Sequence, residues 1–262
     1  MTYGRPSPPS LVVVGVEVSG AEVVRFVLDH GDDPVALLAS HGWQVRTARD
    51  VMSDSRGSHV LTMSFVVEPQ VAAPLEPEEP LHRDKELPPG KGEVPERYQR
   101  VAAYAYVTSS RGLLMTQFSD RTNAQGRWGL PGGGIEADEP PEQAVVREAW
   151  EESGQVIEVS ELALVRTTRW IGRAPSGRLE DFHAVRLVYR ASCHAPTEPV
   201  VHDVGGTTAS AAWVPPTDLD RLDVASSWRS LMSDVLMAPD EADGTEHHEQ
   251  QTDANDRPRS QT

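Results

Sequence analysis

The sequence predicts an α/β domain, an α/β/α or α+β sandwich, preceded by a small α+β module. Three observations carry that expectation. Strand-like runs stand on both sides of one central helix in the C-terminal half. A Val-rich block near the N-terminus has strand and helix signals of its own. Between them, Pro69, Pro74, Pro77, Pro80, Pro88, Pro89 and Pro95 alternate with charged residues, which resist both backbone pairing and burial.

Residues 1–10 are a short extension. Residues 11–18 are rich in Val and read as a buried strand. Residues 21–28 place Val23, Val24, Val27 and Leu28 at helical spacing and predict a helix. A second short helix is expected at 34–40, started by Asp33 and Pro34 and ended before Gly42. Strands at 43–48 and 59–68, split by a turn at 53–58, complete a module spanning 11–68. Residues 69–96 form a semi-extended linker.

The larger domain runs from 97 to 237. Strands at 101–107 and 112–118 share a turn and predict a hairpin. A Gly- and Pro-rich loop at 126–134 leads to a helix at 141–153. Strands follow at 156–159, 163–170, 182–191 and 211–214. The last helix, 225–237, carries Trp228, Leu231, Met232, Val235 and Leu236 on one stripe and should pack on the sheet. Residues 238–262 are polar and acidic, with no large apolar residue, and are expected to be a disordered tail. His247 and His248 in that tail have nothing nearby to complete a metal site.

Bulk properties exclude several functions. The chain has 262 residues and a net charge of −16, which disfavours nucleic-acid and anionic-membrane partners. A small anionic substrate remains compatible where a bound cation reverses the local sign. The single cysteine, Cys193, allows no internal disulfide and no Cys-rich zinc site, and reads as a small filler near a strand end. No apolar run approaches the ~20 residues of a membrane span. No signal-peptide pattern opens the chain, so a cytoplasmic protein is the default expectation.

The helix at 141–153 carries the chemistry. Glu148, Glu151 and Glu152 stand at i, i+3 and i+4 and share one face. Val146, Ala149 and Trp150 are expected to face a core. At ~5 Å and an effective dielectric of ~20, each carboxylate pair costs about 3 kcal/mol. A hard divalent cation offsets that repulsion, because Mg²⁺ or Mn²⁺ prefers carboxylate oxygen. On its own such a triplet is an ordinary solvated face. The loop Leu130-Pro131-Gly132-Gly133-Gly134 ahead of it lets backbone approach a ligand closely.

Together these residues resemble the Nudix box. Gly133, then Glu139, then Arg147-Glu148, Ala149, Trp150, Glu151-Glu152, Ser153 and Gly154 follow its spacing. Gln155 departs from it, standing where an apolar residue is usual, and is expected to loosen the helix end. Asp138 replaces a frequent glycine, which Asp tolerates. The lead-in Trp128-Gly129-Leu130-Pro131 also looks like the family.

The resemblance implies a Nudix-type α/β/α sandwich with a mixed sheet. It implies hydrolysis of the pyrophosphate in a nucleoside diphosphate linked to another moiety. Mg²⁺ or Mn²⁺ would be held by Glu148, Glu151 and Glu152 with the Gly133 carbonyl, and Arg147 would steady Glu139 and the other carboxylates. Glu152, Glu198 and Asp203 are candidates for the general base. Trp128 and Asp203 are candidate substrate contacts, with Trp170 and Phe182 either joining them or belonging to the core. Two alternatives stand beside this expectation. One is a non-catalytic Nudix-fold sensor of a nucleotide derivative. The other makes 11–68 a module for dimerisation, giving a homodimer, or for partner docking.

Overall fold

The computed structural model describes residues 8–70, 82–83, 93–174 and 177–238. The expectations for residues 1–7, for most of the linker and for the acidic tail with His247 and His248 lie outside these residues. Among the described residues no helix is long and apolar enough to cross a membrane.

The N-terminal module is a four-stranded sheet in the order β2-β1-β4-β3. Strand β1 (Ser10–Val16) pairs antiparallel with β2 (Glu22–Val27) and parallel with β4 (Val60–Pro69). Strand β3 (Trp43–Asp54) closes the sheet antiparallel to β4. Helix α1 (Pro34–Ser40) starts where Asp33 predicts, with the Asp33 carboxylate accepting from the Ala36 N–H at 2.9 Å.

The segment 21–28, expected to be a helix, is strand β2 instead. Gly20, at φ 88°, closes a tight turn in which its N–H donates to the Glu17 carbonyl at 2.8 Å. That turn brings Val24 opposite Gly15 and Val27 opposite Val12. The β-branched and aromatic side chains of Val23, Val24, Phe26 and Val27 lose rotamer freedom in a helix and favour the hairpin. In so short a run their helical spacing does not outweigh that preference.

The second sheet has eight strands. Its main path is β12-β7-β6-β11-β10-β5, with β8 on β7 and β9 on β6. In chain order these are β5 (His82–Arg83), β6 (Glu96–Ser109), β7 (Gly112–Phe118), β8 (Trp128–Gly129), β9 (Gly132–Gly134), β10 (Glu158–Arg173), β11 (Leu179–Ser192) and β12 (Thr208–Val214). The sheet is mixed, since β11 runs parallel to β6 and antiparallel to β10. The short β5 falls within the expected linker and pairs with Trp170 and Ile171. Strand β10 joins the two strands expected at 156–159 and 163–170. Register shifts between Val159 and Glu161 and between Leu162 and Leu164 break the alternation there, which is why the sequence reads as two pieces.

Helices cover both faces, as the sandwich expectation requires. Helix α3 (Ser226–Met237) lays Trp228, Leu231, Met232 and Val235 over Met115, Leu130, Val188 and Val214. The opposite face holds helix α2 (Pro141–Ser153) and the N-terminal module. Leu11, Leu61, Met63 and Phe65 of the module belong to the same buried cluster as Val101, Ala149, Val185 and Leu187.

The seam between module and domain is also polar. The Gly31 N–H and the Gln99 side-chain amide both lie 3.1 Å from Nδ1 of the buried His183. Thr167 Oγ1 donates to Asp33 at 2.6 Å, and Arg169 makes two bonds to Asp181 at 2.8 and 2.7 Å. His30 Nε2 stands 3.3 Å from Asp181. Burial, with the neighbouring His30 charge adding to it, pushes His183 down to about 4. A cavity of about 660 Å³ opens at this seam beside Asp33, Thr167, Arg169 and His183, and none of the Nudix-box residues lines it.

Candidate active site

Helix α2 begins at Pro141, after the Pro140 cap, and ends at Gly154, which adopts the left-handed conformation at φ 68°. Ala144, Val145 and Ala149 are buried beneath it. Val146 and Trp150, expected to face the core, are instead 40% and 47% exposed. The buried stripe is narrower than the sequence suggested, because α2 rests on the sheet through small residues.

Arg147 ties the box together. Its Nε and Nη2 donate to the two Glu139 oxygens at 2.8 and 2.9 Å, and Nη2 also reaches the Gly134 carbonyl at 3.1 Å. Its Nη1 lies 2.9 Å from Glu148 and 3.1 Å from Glu151. Burial alone would raise Glu139, yet the bonds from Arg147 and from the Glu136 N–H hold it below the usual carboxylate range. Asp138, at φ 62°, takes the left-handed turn position for which glycine is frequent.

The three glutamates divide between two environments. Glu148 and Glu151 share the Arg147 cation. Burial raises Glu148, only partly offset by Arg147. Glu152 turns inward, accepting from the Gly132 N–H at 2.9 Å and from the Thr208 hydroxyl. Burial pushes Glu152 up to about 7, against the lowering effect of those two bonds, and the nearby Glu148 and Asp203 charges add to the rise.

Among the described residues, no three His, Cys, Asp or Glu side chains are gathered closely enough to hold an ion as they stand. The donor set nevertheless fits a hard divalent cation. It offers oxygen ligands only, and Arg147 Nη1 holds Glu148 and Glu151 together without being a ligand itself. Gly133 leaves the space this needs, since a Cβ there would lie 2.4 Å from Glu148 Oε1.

Asp203 sits on the exposed loop before β12, and its N–H donates to the Glu151 carbonyl at 3.0 Å. Glu198 is 91% exposed and, among the described residues, pairs with Arg111 at 3.5 Å. Trp128 is partly buried against the α3 core. Trp170 and Phe182, left between core and substrate contact by the sequence, are half-buried and stack at 4.2 Å. With Tyr98, at 5.3 Å from Phe182, they line a cleft of about 310 Å³ that also takes in Arg100 and Arg173. Sequence reasoning passed over Tyr98 and Arg100. Both stand on one face of β6, and the Arg100 guanidinium would lie 3.3 Å from a Cβ at Gly134, which joins the cleft to the box. The alternation Tyr98, Arg100 was the available signal.

The mixed sandwich and the carboxylate helix beside a glycine loop define a Nudix-type domain. The chain belongs to the NUDIX family, whose domain model matches residues 98–235. A MutT-like protein of Streptomyces ambofaciens is 56% identical over 48 residues, 18% of this chain and 31% of that protein. The match thus spans about a third of that relative's length. The nucleoside triphosphatase NudI of Klebsiella pneumoniae is 29% identical over 123 residues, 46% of this chain and 84% of NudI. Among solved structures, the chain is similar to a MutT protein from Methanosarcina mazei, with a TM-score of 0.42 and 18% identity over 54% of this chain and 96% of that one. It is also similar to a MutT NUDIX hydrolase from Burkholderia pseudomallei, with a TM-score of 0.39 and 29% identity over 53% and 98% of the two chains.

Proposed function

We propose that the protein is a Mg²⁺- or Mn²⁺-dependent hydrolase that cleaves the pyrophosphate of a nucleoside diphosphate linked to another moiety. The observation that carries this reading is the Arg147 network, which holds Glu139, Glu148 and Glu151 beside Gly133 and Gly134. Glu148, Glu151 and Glu152 would hold the cation, with the Gly133 carbonyl. When bound, the ion neutralises phosphate oxygens and acidifies the attacking water.

The chain's own residues do the rest. Arg147 neutralises and orients the carboxylates, and its two bonds to Glu139 fix the turn ahead of α2. Glu152, buried and held by the Gly132 N–H and the Thr208 hydroxyl, is the general-base candidate on the helix itself. Tyr98, Trp170 and Phe182 offer π-faces for a planar base. Arg100, between that cleft and Gly134, is placed to meet phosphate charge. Asp203 contacts the substrate from the loop above Glu152. The NudI relative, a nucleoside triphosphatase by name, supports a nucleotide substrate.

The test is a panel of sugar nucleotides, dinucleotides and nucleoside triphosphates with Mg²⁺ and with Mn²⁺. Turnover of at least one compound is expected. Glu152→Gln should abolish it and leave the melting temperature of the metal-free protein unchanged or higher, because burial penalises the ionised carboxylate. No turnover across the panel would favour the non-catalytic sensor instead.

A further inference from the structure

The loop that carries Asp203 is fastened to the end of α2 at two places. At its root, Gln155 is 1% exposed and fully engaged. Its amide nitrogen donates to the Ser153 carbonyl at 3.1 Å and lies 3.0 Å from the Thr197 hydroxyl, while its oxygen accepts from the Thr197 N–H at 3.0 Å. The departure from the box expected to loosen the helix end therefore pins the loop to it. At the tip, the Trp150 and His202 rings stack at 3.9 Å and 17°. The N–H groups of His202 and Asp203 both donate to the Glu151 carbonyl, at 2.7 and 3.0 Å, and the Val200 N–H donates to the Ser153 carbonyl at 2.9 Å. Gly154 makes the approach possible, because a Cβ there would lie 2.9 Å from His202 Nε2.

Trp150 is half exposed and contributes to neither buried cluster. A large aromatic ring left at the surface of the metal-binding helix gains little from the hydrophobic core, and its ring partner is the loop. We propose that the Trp150–His202 stack is a clamp that positions Asp203 over the catalytic helix, with Gln155 as its fixed root. Trp150, His202 and Gln155 are positioning residues that act through Asp203. This rests on the proposed hydrolase reading only for its effect on turnover. The mechanical part, a loop held by an aromatic stack, stands without it.

Two measurements on the full chain test it. Trp150→Ala should lower kcat/KM about tenfold, as expected when the substrate contact carried by Asp203 is misplaced. Trp150→Phe should recover most of the loss. Combined with Asp203→Asn, Trp150→Ala should cost little beyond Asp203→Asn alone, because both changes remove the same placement. Hydrogen exchange supplies a readout without substrate. In Trp150→Ala the amides of His202 and Asp203 should exchange about tenfold faster while those in the middle of α2 stay protected. Additive kinetics, or unchanged exchange at His202 and Asp203, would overturn the clamp. A wild-type protein inactive on the whole panel would count against the hydrolase reading, and the exchange result alone would then decide the clamp.

Discussion

Acidification should loosen the seam between the module and the domain through His183. Its Nδ1 accepts the Gly31 N–H, so the neutral ring carries its proton on Nε2, which is buried and has no hydrogen-bond partner among the described residues. Protonating Nδ1 would break the Gly31 bond and place a cation beside His30 and Arg169, with Asp181 already committed to Arg169. The folded-state value of about 4 lies below the ordinary 6.5. The unfolded chain therefore binds the proton first, and stability is full above pH 6.5 and falls as the pH drops towards 4. The full difference amounts to about 3 kcal/mol, of which about 2 kcal/mol is lost by pH 5. Over a chain of this size that corresponds to roughly 5 °C in melting temperature. Glu152, raised to about 7, works in the opposite direction over the same range, so the comparison must be with a variant. Asp181, held down to about 2 chiefly by Arg169, acts only at lower pH. His183→Asn keeps an acceptor for the Gly31 N–H and removes the titration. Melts at pH 7.5 and 5.0 should show the wild type losing about 5 °C more than this variant. Equal losses would refute the argument.

Two further outcomes follow from the cleft and from the shared core. Trp170→Ala should raise KM for a nucleotide substrate about tenfold and leave kcat within about twofold, since stacking a base is worth about 1–3 kcal/mol. An unchanged KM in steady-state kinetics would remove Trp170 from the substrate site. Deleting residues 8–70 strips Leu11, Leu61, Met63 and Phe65 from a cluster that includes Val185 and Leu187, and the remaining domain should aggregate or melt well below the full chain. A monomeric deletion variant with the parent melting temperature in light scattering and calorimetry would show that the module is an independent attachment.

The carboxylate helix was legible because its information is local. Glu148, Glu151 and Glu152 share a face by helical period, and Gly133, Glu139 and Arg147 lie within one continuous stretch. Helix α2 accordingly has the expected bounds, Pro141–Ser153. The cleft was not legible, because Tyr98, Trp170 and Phe182 come from three strands that only the pairing of β6, β10 and β11 brings together. Alternation along a strand shows that a residue faces one side without showing what lies there. The same limit hid the seam, where Gly31 and His183 meet across 152 positions. Strand β2 was missed for a different reason, since four apolar residues in a run of six satisfy a helical spacing as readily as a hairpin edge.

Gln155 shows how a departure from a family pattern is to be weighed. A polar residue at a buried helix end costs stability when its donors and acceptors go unpaired. Here the two polar atoms of the side chain find Ser153 and Thr197, so the cost is offset and a loop is gained in register with the helix. An apolar residue at 155 would pack against Cys193, which lies 3.9 Å from the Gln155 oxygen, but would leave the Thr197 N–H without this acceptor. The loop bearing Asp203 would then be held to α2 by the Trp150–His202 stack and three backbone bonds. In this chain the position that closes the box has exchanged packing for placement of that loop.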